Sequence, residues 1–432
     1  MATLTQTGKL VNRTGTLSAL RNPNFRLYFV GQMISNSGTW MQNIAQSYLV
    51  FEITKSELWL GIVACASGLP IILLSPIAGV IVDRFPRRNL LMFTQVSQMI
   101  LALILAILTF TGLVQVWHIV VLAVLLGMTN ALDMPSRQTI VFEIVGREDM
   151  YSGIALNSIM NSLGRVLGPA AAGIALVSLG AAWCFLLNAA SYLVVLVSMI
   201  LIQVPYAIQS VGDESPLRKM REGLSFARRD ALIPPLLLLA GIGGFLVLPI
   251  LRMLPAVADV LLHSPEEGYA ALSVAEGTGS VLGGILVGWL GSRIGHGKVI
   301  AIALAINALA NILLALQSTI PPAVALTAFF GSSMILLFVS LNTAVQTVVP
   351  DAFRARVLSL YVLAMLGTSP FGALALGAFA DRFGIDKALI LNGILIAVLS
   401  GAVILRWSHL LRFHLVPKSE ILSEVVHNAV GD

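Results

Sequence analysis

This chain is poor in charge: only 11% of its 432 residues are Asp, Glu, Lys or Arg, while 57% are hydrophobic. A soluble domain of this size carries about a quarter charged residues and could not hide so much apolar surface. Cysteine is also scarce. Cys65 and Cys184 both lie inside apolar runs and read as small core residues, which excludes a disulfide framework and a cysteine metal site. None of the six histidines lies deep within an apolar run, His118 being close to an outer boundary, so no metal or hydrolase constellation is expected. The first twenty-odd residues are polar, with Lys9, Arg13 and Arg21, and lack the apolar core of a cleavable signal. The first apolar run is therefore expected to insert and stay. The stretch Gly291-Ser-Arg-Ile-Gly295-His-Gly297-Lys298-Val299 is superficially like a phosphate loop. It lacks the glycine five residues before Gly297 and has Val299 where Ser or Thr is required. With no nucleotide domain, enzyme and ATP-driven pump readings have no support.

What the chain does have is long apolar runs and a mean hydropathy of +0.90. About twelve are long enough to span a bilayer, at roughly 20 residues each. They cover residues 26–51, 57–82, 89–112, 115–135, 151–178, 182–204, 232–258, 268–290, 298–318, 321–348, 355–380 and 386–406. The runs are continuously apolar rather than alternating, which excludes a membrane β-barrel. The expectation is an all-α polytopic membrane protein with twelve transmembrane helices in two six-helix bundles.

The basic residues orient these runs. Of 26 Lys and Arg, 21 fall on one side and only Lys55, Arg382 and Lys387 on the other, with Arg165 and Arg252 inside runs. Charge distributed this way orients helices in a membrane rather than binding nucleic acid. It places both termini in the cytoplasm. The expected organisation is a cytoplasmic segment 1–22, a six-helix bundle 23–206, a linker 207–231, a second bundle 232–407 and a cytoplasmic tail 408–432. Within the linker, Leu217, Met220, Leu224 and Ala227 recur at helical spacing. They allow either a short amphipathic helix on the membrane surface or a plain solvated connection.

The two halves echo each other. Gly79, Asp83 and Arg84 map onto Gly288, Ser292 and Arg293 at an offset of 209, and Gln138-Thr139 maps onto Gln346-Thr347 at 208. A parallel six-helix repeat is a transporter plan, with the substrate site where the repeats meet.

On these residues the chain resembles the major facilitator superfamily over about residues 20–406. Gly79-x-x-x-Asp83-Arg84-x-x-Arg87-Arg88 resembles the superfamily's signature between its second and third helices. Gly164-x-x-x-Gly168-Pro169-x-x-x-Gly173 resembles the fifth-helix signature of proton-driven exporters, although Ala172-Gly173 stands where that signature has paired glycines. Gly38-Thr-Trp40-Met-Gln42, Asp133-x-Pro135-x-Arg137-Gln138, Asn161-x-x-x-Arg165 and Gln346-Thr-Val-Val-Pro350-Asp351 are similar to the transmembrane secretion effector branch, which includes enterobactin-type exporters. The resemblance implies alternating access and export driven by the proton gradient, with no bound cofactor. The expected partners are membrane lipid, protons and a small-molecule substrate, and the expected form is a monomer. One departure stands out: residues 119–132 lack the mid-membrane arginine that many proton-driven members carry in the fourth helix.

Ionisable side chains inside membrane spans are functional candidates by default. Arg165, Arg252 and Glu276 qualify, at roughly 20, 9 and 12 Å from the outer ends of their runs at 1.5 Å per residue. In the family fold the fifth and eighth helices face each other, so Glu276 is expected to pair with Arg252, exchange to Arg165, and carry the transported proton. A permanent ion pair pinning two helices is the competing reading. Asn36, Trp40, Asn43 and Ser47 share one face of the first helix. With Asn130, Asn342 and Gln346 they are expected to line a cavity for an amphipathic solute. Those amides could equally bond helix to helix. Gly164, Gly168, Pro169 and Gly173 read as a hinge or a packing face. Gly79, Asp83, Arg84, Arg87, Arg88 and Asp133 are expected to form a latch between the halves. In that latch Gly79 packs on the eleventh helix and Arg87 pairs with Asp133. Import or facilitated diffusion is the alternative within transport, and a non-transporting receptor or assembly factor the alternative outside it.

Overall fold

The computed structural model describes residues 17–146, 149–202 and 216–412. The expected terminal segments up to residue 16 and beyond residue 412, and linker residues 203–215, lie outside the described residues. Helices make up nearly everything else. They are α1 (Pro23–Thr54), α2 (Glu57–Arg84), α3 (Arg87–Phe110), α4 (Val116–Val145), α5 (Met150–Leu179), α6 (Ala181–Leu201), α7 (Pro216–Arg229), α8 (Ile233–Ile242), α9 (Ile250–Ala256), α10 (Pro265–Ile294), α11 (His296–Leu314), α12 (Ile320–Val348), α13 (Asp351–Phe383) and α14 (Ile385–Arg406). Two π-helical turns, Gly243–Val247 and Val257–Leu261, join α8 and α9 into one span, Ile233–Leu261.

Among the described residues, eleven spans are long and apolar enough to cross a membrane. The twelfth, the 32-residue α1, misses that apolarity because Gln32, Asn36, Gln42, Asn43 and Gln46 interrupt it. Those amides face neighbouring helices or the interior. Ile174, Ile285 and Leu405 are more than two-thirds exposed on the outside of the bundle, a surface that suits lipid and not water. Ends are set by local chemistry. Asn22 accepts from the backbone N–H groups of Asn24 and Phe25 to start α1, and Asp230 caps α8 through Leu232 and Ile233. The turn between α2 and α3 is only Phe85-Pro86, as two antiparallel neighbours require.

The packing repeats. In the first half α2 lies on α4, α3 on α4 and α6, and α1 on α5 and α6. In the second half α10 lies on α12, α11 on α12 and α14, and the α8–α9 span on α13. The halves meet through two seams, α2 with α13 and α5 with α10. Helix approach is close where glycine removes the Cβ: Gly127 sits on the Ser67 carbonyl, and Gly279 and Gly283 sit on those of Ala328 and Ser332.

α4 corrects an expected boundary. It runs to Val145 rather than stopping at Pro135, because a proline inside a packed membrane helix costs one backbone bond that neighbours tolerate. In the linker, α7 is helical and docks on the second half. Its Phe226 stacks on Phe353 at 4.4 Å, Glu222 pairs with Arg356 at 2.9 Å, and Ala227 is buried. Of the expected apolar face, Ala227 is buried and Leu224 exposed, while the side chains of Leu217 and Met220 lie outside the described residues.

Candidate functional site

A cavity of about 410 Å³ lies between the halves, in the middle of the bundle. Trp40, Asn43 and Ser47 of α1 line one wall, Arg165 and Pro169 of α5 another, and Tyr269, Ser273 and Glu276 of α10 a third. Arg252 of α9 reaches in from the second half, and apolar side chains such as Met334, Phe338 and Met365 complete the enclosure.

Glu276 is 5% exposed and accepts a hydrogen bond from Ser280 one turn on, at 2.8 Å. Gly277 beside it packs directly on the backbone carbonyl of Arg165, so Glu276 and Arg165 stand at one level across the α5–α10 seam. Arg165 is the cation whose charge reaches the Glu276 carboxylate. Its guanidinium stacks over Trp40, 5.0 Å from the ring centroid.

Arg252 does not pair with Glu276. Among the described residues it makes no ion pair within 4.0 Å, and the group nearest it electrostatically is the Tyr269 hydroxyl. The irregular seventh span aims it this way. Pro249 and Pro255 lack the N–H groups that would bond the Phe245 and Leu251 carbonyls, and the π turns lie on either side of α9. Gly244 and Gly372 bring α13 onto the first π turn, and Asn392 donates to the Leu246 carbonyl at 2.9 Å.

The structure divides the other expected cavity residues. Trp40 and Asn43 line the cavity, and the Asn43 amide makes no side-chain hydrogen bond to the described residues. Asn36 instead donates to the Met160 carbonyl at 3.3 Å and fills the space left by Gly164. Asn130 accepts from Gln98 at 3.0 Å. Asn342 and Gln346 bond each other on α12, away from the cavity lining. Tyr269 and Ser273 were not among the sequence candidates. Their signal was present: Tyr269, Ser273, Glu276 and Ser280 recur at steps of four, three and four, one face of α10.

The glycines of α5 are packing sites. Gly164 and Gly168 admit Asn36 and Trp40 of α1, within the first half, while Gly173 meets Ala270 across the seam. The basic turn also differs from expectation. Arg87 is buried and pairs with Glu143, because α4 extends far enough to bring that carboxylate to the turn. Asp133 lies about three turns inside and is taken by Arg137, Thr94 and Gln95. Arg88 donates to the carbonyls of Met199 and Ile200 at 2.7 and 3.0 Å, and Arg84 is exposed. A Cβ at Gly79 would meet nothing within 4 Å, so the expected contact with α13 is not made in this conformation. The side chain of Asp83 lies outside the described residues.

The sequence profile of the family described as transmembrane secretion effector matches residues 14–425. The chain belongs to that family, a branch of the major facilitator superfamily. Macrolide efflux protein A of Streptococcus pyogenes is 22% identical, with 86% of this chain and 93% of that protein aligned. The enterobactin exporter EntS of Shigella flexneri is 23% identical over 94% of this chain and 98% of its own. A crystal structure of the nucleoside transporter NupG (D323A mutant) superposes with a TM-score of 0.74 at 14% identity, covering 88% of this chain and 98% of that one. Members of this family are transporters, so the chain is a multi-pass bacterial membrane transporter and not an enzyme.

Proposed function

We propose that the chain is a proton-coupled exporter of amphipathic small molecules that works by alternating access. Its basic face lies in the cytoplasm, on the strength of the 21 to 3 division of Lys and Arg. The observation that carries the reading is the meeting of Glu276 and Arg165 at the α5–α10 seam, beside the cavity. The halves touch there and must move there when access switches.

A carboxylate can be ionised beside a guanidinium and must keep its proton in apolar surroundings without one. In the state seen here, Glu276 gives its proton to the cytoplasmic side as Arg165 approaches, and the solute enters the cavity. When the halves rock, Arg165 withdraws, Glu276 takes a proton from outside, and the solute leaves. One proton per cycle down one pH unit is worth about 1.4 kcal/mol, or about a tenfold solute gradient. The two relatives named above, an efflux protein and an exporter, support the direction. An apolar wall with scattered amides and hydroxyls supports an amphipathic solute.

Everted vesicles offered a labelled macrolide or catecholate siderophore in the outer medium test the reading. Proton-driven uptake is expected in the parent protein and loss of gradient dependence in Glu276→Gln. Undiminished uptake by Glu276→Gln that still collapses with the gradient removes Glu276 from the coupling.

A further inference from the structure

Arg252 is a positive charge inside a membrane span with no counter-charge within 4.0 Å among the described residues. Such a side chain is costly and finds a partner or serves a pathway. Its five N–H donors make no ion pair and no hydrogen bond to the described residues and open onto cavity space. It lines both the 410 Å³ central cavity and a smaller adjoining one of about 20 Å³, toward α2. The charges facing the central cavity are Arg165, Arg252 and Glu276, so the lining keeps a positive excess even with Glu276 ionised. Around Arg252 stand neutral polar groups: the Asn43 amide, which is able to donate, the Ser47 hydroxyl, which gives its proton to the Asn43 carbonyl, and the Tyr269 hydroxyl, which lies against Ser47 and Ser273. The backbone is built to present it, since α9 is held between two π turns that α13 and α14 pack against.

We infer that Arg252 is the anchor of an anion subsite, and that the transported solute is an amphipathic acid whose carboxylate sits on Arg252 and Asn43. The guanidinium fork matches a carboxylate with two parallel hydrogen bonds. The solute's apolar body then lies against Leu248, Met334 and Phe338. The acid neutralises the excess charge of the lining, which leaves Glu276 free to answer to Arg165. This assignment rests on the cavity being the transport site. It separates Arg252 from the proton-carrying pair with which it was first grouped.

The test needs no gradient. The purified full chain in a neutral maltoside detergent is melted with 1-naphthaleneacetate and with 4-phenylbutyrate, each beside its primary amide. In the parent protein the acids should bind about tenfold tighter than the amides, the scale of one charge-assisted hydrogen bond. They should raise the melting temperature accordingly. Arg252→Gln should erase the preference while melting no lower than the parent, because an uncompensated charge is removed. Arg252→Lys should keep part of it as a point charge. If the acids shift the parent no more than the amides, the subsite does not exist. If Arg252→Gln melts well below the parent with the preference intact, the guanidinium is structural. Neither result bears on Glu276, which the vesicle experiment tests separately.

Discussion

The two ends of the interface between the halves are built differently. At the acidic face, opposite the basic turn, the seams are closed backbone to backbone. Gly61 lies on the Ala373 carbonyl, Gly377 on that of Glu57, and Gly68 against Pro370. Polar bonds cross the same gap: Lys55 to Asp259 at 2.8 Å, Tyr48 to Glu266 at 3.1 Å, and Ser56 to Asp381. At the basic face, Arg87, Arg88 and Ser18 all bond within the first half, and Arg356 bonds α7 within the second. Gly79 and Gly288, equivalent positions in the two repeats, both have open space where a Cβ would go. One seam glycine from each half is therefore uncovered at one face while its counterparts are tightly covered at the other. The difference teaches that the motif's arginines and its glycine are engaged differently in this structure. Arg87 and Arg88 tie α3 to α4 and α6, while the Gly79 position of α2 is left open.

The largest effect is expected where the seam is tightest. Leucine at Gly61 or Gly377 forces a side chain into a backbone carbonyl. Overpacking of this kind costs about 1–3 kcal/mol, so the closed face should open and transport should fall about tenfold or more. Labelling of a cysteine at Ser369 by an impermeant maleimide would report the opening; unchanged labelling would mean the seam is soft.

Gly79→Leu sharpens the comparison, because here there is room. Melting should stay within about 0.5 kcal/mol of the parent, as for a surface site, while transport is lost because the other state can no longer close. Full transport by Gly79→Leu would mean that α2 never approaches α13 at this end. Asp83→Asn should impair transport several-fold more than Ser292→Ala, since the second copy of the motif lacks the carboxylate. Equal, negligible effects of both would reduce the motif to a topology signal. The smallest change is expected from Lys55→Met: an exposed ion pair is worth about 0–1 kcal/mol, so uptake should shift by less than about fivefold.

Much of the fold was legible because apolar runs of membrane length leave the backbone only one structure, and the repeat offset of 209 placed the halves. Some boundaries were not. Pro135 looks like a helix end in sequence but lies within α4, and that moved the acidic partner of Arg87 from Asp133 to Glu143. The π turns of the seventh span flank Pro249 and Pro255, which the sequence shows, and pack on α13 and α14, which it does not. At the site, periodicity gave the shared face of Asn36, Trp40 and Asn43, but not what each meets. Gly164 draws Asn36 toward α5, while Asn43, two turns on, reaches the cavity. That Glu276 stands level with Arg165 across the seam depends on Gly277 letting α10 rest on α5, a contact that no local pattern announces.

The most direct measurement is of distances at both faces in one protein. Spin labels at Arg84 and Ser359 would report the basic face and labels at Ile53 and Arg382 the acidic face, in a background with Cys65 and Cys184 replaced by Ser. Pulsed electron resonance across a pH series, with and without Glu276→Gln, should give reciprocal changes. As the basic-face distance shortens the acidic-face distance should lengthen, and Glu276→Gln should hold one population at every pH. Two distances that vary independently, or a proton response that survives in Glu276→Gln, would contradict a rocking transporter driven through Glu276.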